Sequence, residues 1–157
     1  MNSVNNNKSV EYRWNDSQYL SKENFIILLQ KFGDLLPDPL GERVDLNEYS
    51  EKWLTHADIL LAFYKNEIVG VRVLYANDYE TKSAHGLFLA VLPEFQGMGI
   101  GREMYRRTID FVKQRGMTKI FLFVHFKNIV AINLYKSLGF IEVERENTKI
   151  KMRLDLQ

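Results

Sequence analysis

The spacing of apolar positions changes twice along the chain. From Ser21 to Ala57 the apolar residues recur at helical intervals. In "SKENFIILLQKFG", Phe25, Ile26, Leu28, Leu29 and Phe32 share one face, Ser21 is placed as an N-cap and Gly33 as a stop. "DLNEYSEKWLTHA" opens on Asp45 with Glu48 three residues later, the order of a capping box, and predicts a second helix. Between them, "DLLPDPLGERV" carries Pro37 and Pro39, which bar regular helix, and is read as a loop. Ahead of both, "VEYRW" (Val10–Trp14) alternates weakly and predicts a first strand, while the Asn/Ser-rich residues 1–9 are expected to fray.

After Ala57 the period shortens to that of strands. "DILLAFY" and "EIVGVRVLY" flank the polar link Lys65-Asn66 and predict a hairpin, and "NDYETKS" leads into a further strand, "AHGLFLAVL". Helical spacing returns with Ile100, Met104, Thr108, Phe111 and Val112, ending at Gly116. "KIFLFV" (Lys119–Val124) is apolar almost throughout, which predicts a strand covered on both faces. Ala131, Leu134, Tyr135 and Leu138 mark a last helix closed by Gly139, and "FIEVERE" with "TKIKMRLDL" predicts a closing antiparallel pair. The pattern describes one α/β domain over residues 1–157, a mixed sheet with helices on both sides.

Composition narrows the function classes. A formal charge of +1 gives no electrostatic footprint for nucleic acid. No apolar run approaches the roughly 20 residues of a membrane span, and the polar start "MNSVNNNKSV" lacks the apolar core of a signal peptide, so a cytoplasmic location is expected. The absence of cysteine excludes disulfides and thiolate chemistry, and His56, His85 and His125 have no metal-ligand spacing, so no metal is expected.

The segment "LPEFQGMGIG" sets three glycines at alternate positions ahead of a helix. Such a run is either a plain strand-to-helix turn or a phosphate cradle, since unobstructed backbone N–H groups and a helix N-terminus together attract an anion. It is not a P-loop, because Gly101 is followed by Arg102-Glu103, nor a complete dinucleotide fingerprint, which needs glycine at position 102. Gln96-Gly97-Met98-Gly99-Ile100-Gly101 resembles the Q/R-x-x-G-x-G/A signature of the GNAT acetyltransferase superfamily. A second block, "NIVAINLYKSLGF", resembles the family's N-x-x-A-x-x-x-Y-x-x-x-G-F element through Asn128, Ala131, Tyr135, Gly139 and Phe140. The resemblance covers roughly Asp58–Leu156 and weakens over the first fifty-odd residues, which in this family shape the acceptor pocket.

The resemblance implies a mostly antiparallel sheet of six to seven strands, about four helices on both faces, and a splayed strand pair at the cofactor cleft. It implies acetyl-CoA as co-substrate, with the pyrophosphate on the backbone of Gln96, Gly97, Met98, Gly99, Ile100, Gly101 and Arg102. The pantetheine arm would pair with Leu89, Ala90 and Val91 on a bulged strand, with Asn128 contributing a hydrogen bond. Tyr135 stands where relatives place a tyrosine that protonates the departing thiolate, a task suited to a phenol of ordinary pKa near 10. His85 occupies the position of the family's general base, with Asp78, Glu80 and His125 as competitors; His56 is read as structural. Arg43, Asp45 and Tyr49 are expected at the acceptor pocket. The expected activity is acetyl transfer to a primary amine of a small molecule or peptide by direct attack. The alternatives are acyl transfer to an amino sugar and a non-catalytic CoA-binding sensor. A homodimer is among the expected states, without nucleic-acid or membrane partners.

Overall fold

Local capping starts the helices where the sequence places them. In the computed structural model, which describes residues 9–157, the Ser21 side chain accepts a hydrogen bond from the Asn24 amide and opens α1 (Lys22–Gly33). The fraying expected over residues 1–9 falls, except for Ser9, outside the described residues. Asp45 accepts from the amides of Asn47 and Glu48 and opens α3 (Leu46–His56). The stretch expected as a loop between them contains one helical turn, α2 (Leu40–Arg43), beginning just after Pro39. Pro39 bars helix before it but supplies a suitable start for the turn that follows.

Seven strands form one sheet: β1 (Val10–Trp14), β2 (Asp58–Tyr64), β3 (Glu67–Asp78), β4 (Ser83–Val91), β5 (Lys119–His125), β6 (Ile141–Glu146) and β7 (Lys149–Asp155). Their order is β1-β2-β3-β4-β5-β7-β6, and only β4 and β5 run parallel. The crossover between those two is α4 (Ile100–Gln114), and α5 (Ile129–Ser137) follows β5. Lys65 and Asn66 both take positive φ, as the tight turn between β2 and β3 requires.

The core is deepest around β2 and β3, where Ile59–Phe63 and Val71–Leu74 are buried on both faces. On one face α4 packs closely: a Cβ built on Gly70 would lie 3.0 Å from the Met104 sulfur. Helices α1 and α3 pack on β2, β3 and β4 through Phe25, Leu29, Phe32 and Trp53 and cover the other face. Of the face predicted for α4, Ile100, Met104, Thr108 and Val112 are buried. Phe111 is only partly so and stacks on Trp14 at 4.1 Å, and Tyr105 joins the core instead. In α5 the fully covered residues are Ile132 and Tyr135, with Ala131, Leu134 and Leu138 at the margin.

The C-terminal half of the sheet departs from the sequence reading. Strand β5 is covered on one face only: Ile120, Leu122 and Val124 are buried under α4 and α5, whereas Phe123 is 54 % exposed. Lys151, from the neighbouring β7, lies over the Phe121 ring at 4.7 Å, so a basic side chain replaces the expected helix as cover. Strand β6 is exposed at every residue.

Helix α4 is tied down at both ends. Arg115 at its C-terminus makes a two-pronged contact with Asp58 at 3.0 and 3.3 Å, and Asn15 holds the same carboxylate from β1. Arg102 in its first turn donates to the Ser137 hydroxyl of α5 at 2.7 Å.

The junction of α1 and α2 has no spare volume, since a Cβ on Gly33 would sit 2.7 Å from the Leu40 Cβ. Gly33→Ala is expected to lower the unfolding free energy by about 1–3 kcal/mol through overpacking. In urea titration this appears as a lower midpoint with unchanged slope.

Candidate active site

One unpaired residue creates the cleft. Across β3 and β4, Val73 faces Phe88 but Leu74 faces Gly86, so Leu87 is a bulge. Bulges bend and twist the strand that carries them. The parallel ladder between β4 and β5 runs from Ser83–Lys119 to Gly86–Leu122 and stops there. Beyond it β4 continues on β3 alone, and its β5-facing edge from Leu87 to Val91 has no strand partner. This is the splayed pair expected from the sequence.

The free edge leads directly to the glycine segment. Gln96 folds back and donates from Nε2 to the Val91 carbonyl at 3.1 Å. Gly97 and Gly99 adopt φ of +83° and +82°, with nothing within 4 Å of a Cβ built on either. Their requirement for glycine is therefore backbone conformation, not crowding. Gly101 differs: its Cβ would approach Leu134 of α5 to 3.3 Å. The first helical bond of α4 runs from the Glu103 amide to the Gly99 carbonyl at 3.0 Å. Gly99, as the N-cap, has no side chain to satisfy the amides of Ile100, Gly101 and Arg102. Three N–H groups and the positive end of the helix dipole thus face one concavity, a fit for a phosphate group.

That concavity is a cavity of about 650 Å³. Of the residues expected to hold the co-substrate, Leu89, Ala90, Val91, Gln96, Gly97, Gly99, Ile100, Gly101, Arg102 and Asn128 line it. Met98 does not; its side chain packs on the apolar core. Its outer wall, Leu35–Pro37 from the α1–α2 connection with Ile129 and Val130 of α5, carries no motif and was not anticipated. Asn128 caps α5 by accepting from the Ala131 amide at 3.2 Å.

A second cavity, of about 200 Å³, adjoins the first at Leu36, Leu89 and Asn128 and passes through the gap between β4 and β5. Tyr135 and Arg72 line its inner end, and Arg43, His125 and Lys149 also border it. Tyr135 is 7 % exposed and packs edge-on to Tyr105. Burial pushes its phenol above the ordinary range, and the nearby Arg72 charge opposes that rise in part. The hydroxyl stays protonated at neutral pH. Arg72 is the residue that sequence reasoning missed. It is 1 % exposed in the middle of a strand, donates to the Tyr105 hydroxyl at 2.8 Å and to the Phe88 carbonyl at 3.3 Å, and sits over the Tyr105 ring. The one visible signal was an arginine within the otherwise apolar run "IVGVRVLY".

Of the predicted acceptor-side residues, Arg43 reaches the smaller cavity, whereas Asp45 is the α3 cap and neither it nor Tyr49 lines either of these two cavities. His85 lines neither cavity. Its register with Phe121 puts it on the open face of the sheet, stacked on that ring, with Nε2 3.7 Å from Asp78. Hydrogen bonds from Thr81, with a smaller effect of His85, hold the Asp78 carboxyl below its ordinary range. Glu80 also lies outside both cavities. His125 Nδ1 accepts from the Lys127 amide at 3.1 Å, so a neutral His125 presents a donor at Nε2 and has no free lone pair for a base.

The chain and its fold have counterparts among known proteins. The profile of the Acetyltransferase (GNAT) family matches residues 27–140, and the chain belongs to that family. It is 29 % identical over 96 residues to the mycothiol acetyltransferase of Renibacterium salmoninarum, covering 57 % of this chain and 28 % of that protein. It is 43 % identical over 54 residues to the ribosomal protein bS18 alanine N-acetyltransferase of Escherichia coli K12, covering 34 % of this chain and 36 % of that one. The chain thus matches about a third of each relative's length. A GNAT acetyltransferase from Elizabethkingia anophelis, crystallised with acetyl-CoA bound, shares the fold with a TM-score of 0.69 at 20 % identity, over 94 % of this chain and 99 % of that one.

Gly99→Ala is expected to cost about 1 kcal/mol in unfolding free energy, because alanine at a left-handed position is strained even in open space. Thermal or urea unfolding without ligand measures it.

Proposed function

We propose that the chain is an acetyl-CoA-dependent N-acetyltransferase that acts on a primary amine by direct attack. The observation that carries this reading is the continuity of the free β4 edge, Leu87–Val91, with the unsatisfied amides at the start of α4. A pantetheine arm has strand-like donors and acceptors and suits such an edge, while a pyrophosphate suits the amides. Bound acetyl-CoA supplies the thioester, whose acyl carbon forms a C–N bond to the amine as its C–S bond breaks.

The protein's own contributions follow from position. Leu89–Val91 and Asn128 orient the arm, and the meeting of the two cavities at Leu89 brings donor and acceptor into one space, where proximity supplies much of the acceleration. Tyr135, kept neutral by burial, gives its hydroxyl proton to the departing sulfur. The attacking amine's proton leaves by water to His85, on the sheet face that Phe123 and Lys149 share at the rim of the smaller cavity.

Coenzyme A is expected to raise the melting temperature by mass action, and Gly99→Glu to abolish that rise, since its carboxylate would fill the cradle and repel phosphate. Gly99→Ala controls for backbone strain. An undiminished rise in Gly99→Glu removes the phosphate assignment.

Tyr135→Phe is expected to reduce kcat by about 10²–10⁴-fold with coenzyme A affinity nearly unchanged. Stopped-flow thiol release, which isolates the chemical step, is the measurement; an unaltered rate returns Tyr135 to a packing role.

His85→Ala is expected to lower kcat/KM while coenzyme A still binds. If kcat/KM is unchanged in the variant, the proton goes elsewhere.

A further inference from the structure

The smaller cavity is cationic, and its charges are not balanced from within. Three cations line it, Arg43, Arg72 and Lys149, against one carboxylate, Asp38. That carboxylate is already spent on Arg43, 3.1 Å from its Nε. Lys149 has no ion pair among the described residues; Glu146 faces it across the hairpin but does not line the cavity.

Arg72 is the most telling of the three. Burying a cation is expensive unless a counter-charge and hydrogen bonds accompany it. Yet its described partners are neutral, a phenol and a carbonyl, and its Nε has none. Two hydrogen bonds use two of the five donors a guanidinium carries. The chain also makes room for it: a Cβ on Gly86 would fall 2.8 Å from Nη2. A buried, under-partnered fork at the inner end of a small cavity, with a second free cation at its rim, is suited to one kind of occupant.

We infer that the acceptor amine carries an anionic group, a carboxylate or a phosphate, close to the nitrogen that is acetylated. The inference rests on the acetyltransferase reading and narrows its acceptor. Polyamines and lysine-rich peptides bring like charge into this cavity and are poor acceptors. The size, about 200 Å³, restricts the anchored part to a small molecule or a short terminal segment.

Matched probes test this. In thiol-release assays β-alanine is compared with β-alaninamide, and O-phosphoethanolamine with ethanolamine; the first pair reports a carboxylate and the second a phosphate. In parallel, the N-acetylated forms of the same four compounds are titrated into the coenzyme A-loaded protein and followed by melting temperature, which requires no turnover. In at least one pair the anionic member is expected to bind about tenfold or more tightly, the size of a charge-assisted hydrogen bond, with the preference in KM and not in kcat. Added salt should shrink the preference, most at the solvent-exposed rim. Arg72→Gln should abolish it and Lys149→Gln reduce it, with coenzyme A affinity unchanged; should Arg72→Gln fail to fold, Lys149→Gln carries the test. Equal binding within both pairs overturns the inference, as does a preference that survives both substitutions. A binding preference in a protein that transfers no acetyl group to any of these amines would leave an anion-binding cavity but overturn its assignment to the acceptor.

Discussion

Leu87 has no partner on β3, and the geometry of the cleft depends on that extra residue. A strand in the middle of a sheet normally spends its backbone groups on both neighbours. Here the bulge keeps β4 on β3 and turns it away from β5 after Gly86, so one edge is left unpaired inside the molecule and not at its rim. Beside the gap, Arg72 reaches the Phe88 carbonyl while resting on Tyr105. The glycine turn has to meet the end of that edge at a fixed height. The two ties on α4, to Asp58 at one end and Ser137 at the other, hold it there.

The two cavities handle charge differently. The larger presents backbone amides and a helix end, with Arg102 and Lys127 in its lining. The smaller presents whole side-chain charges with little neutralisation. Tyr135 lines the smaller one, where burial and the Arg72 charge act on its phenol in opposite directions and burial prevails. A neutral proton donor and a permanent cation therefore coexist within one wall.

Much of this was legible in the sequence, for reasons particular to each element. Helices α1 and α3 announced themselves by caps that the structure contains, at Ser21 and Asp45. The glycine segment was legible because two of its residues need left-handed backbone. What escaped depends on neighbours distant in sequence. An apolar strand looks the same whether both faces are covered or one lies under lysine, so "KIFLFV" did not reveal that Phe123 is exposed. The α1–α2 connection carries no periodicity, and its role as a cavity wall comes from lining the same cavity as α5. Arg72 was visible only as an interruption. Its meaning required the bulge, Gly86 and Tyr105 together.

The exposed β6 has a consequence of its own. As the last strand of the sheet it offers open hydrogen-bonding groups to any passing chain, which makes it the natural point for unwanted strand addition. Its sequence, "IEVERE", alternates Ile141 and Val143 with Glu142, Glu144 and Glu146, and Arg145 is held by Glu142 through two hydrogen bonds. A second copy docking edge to edge would bring these carboxylates against their own kind in a setting poor in water. The chain thereby guards this border against aggregation with charge, and with the break in register at Val143 that bends the strand away from a flat partner.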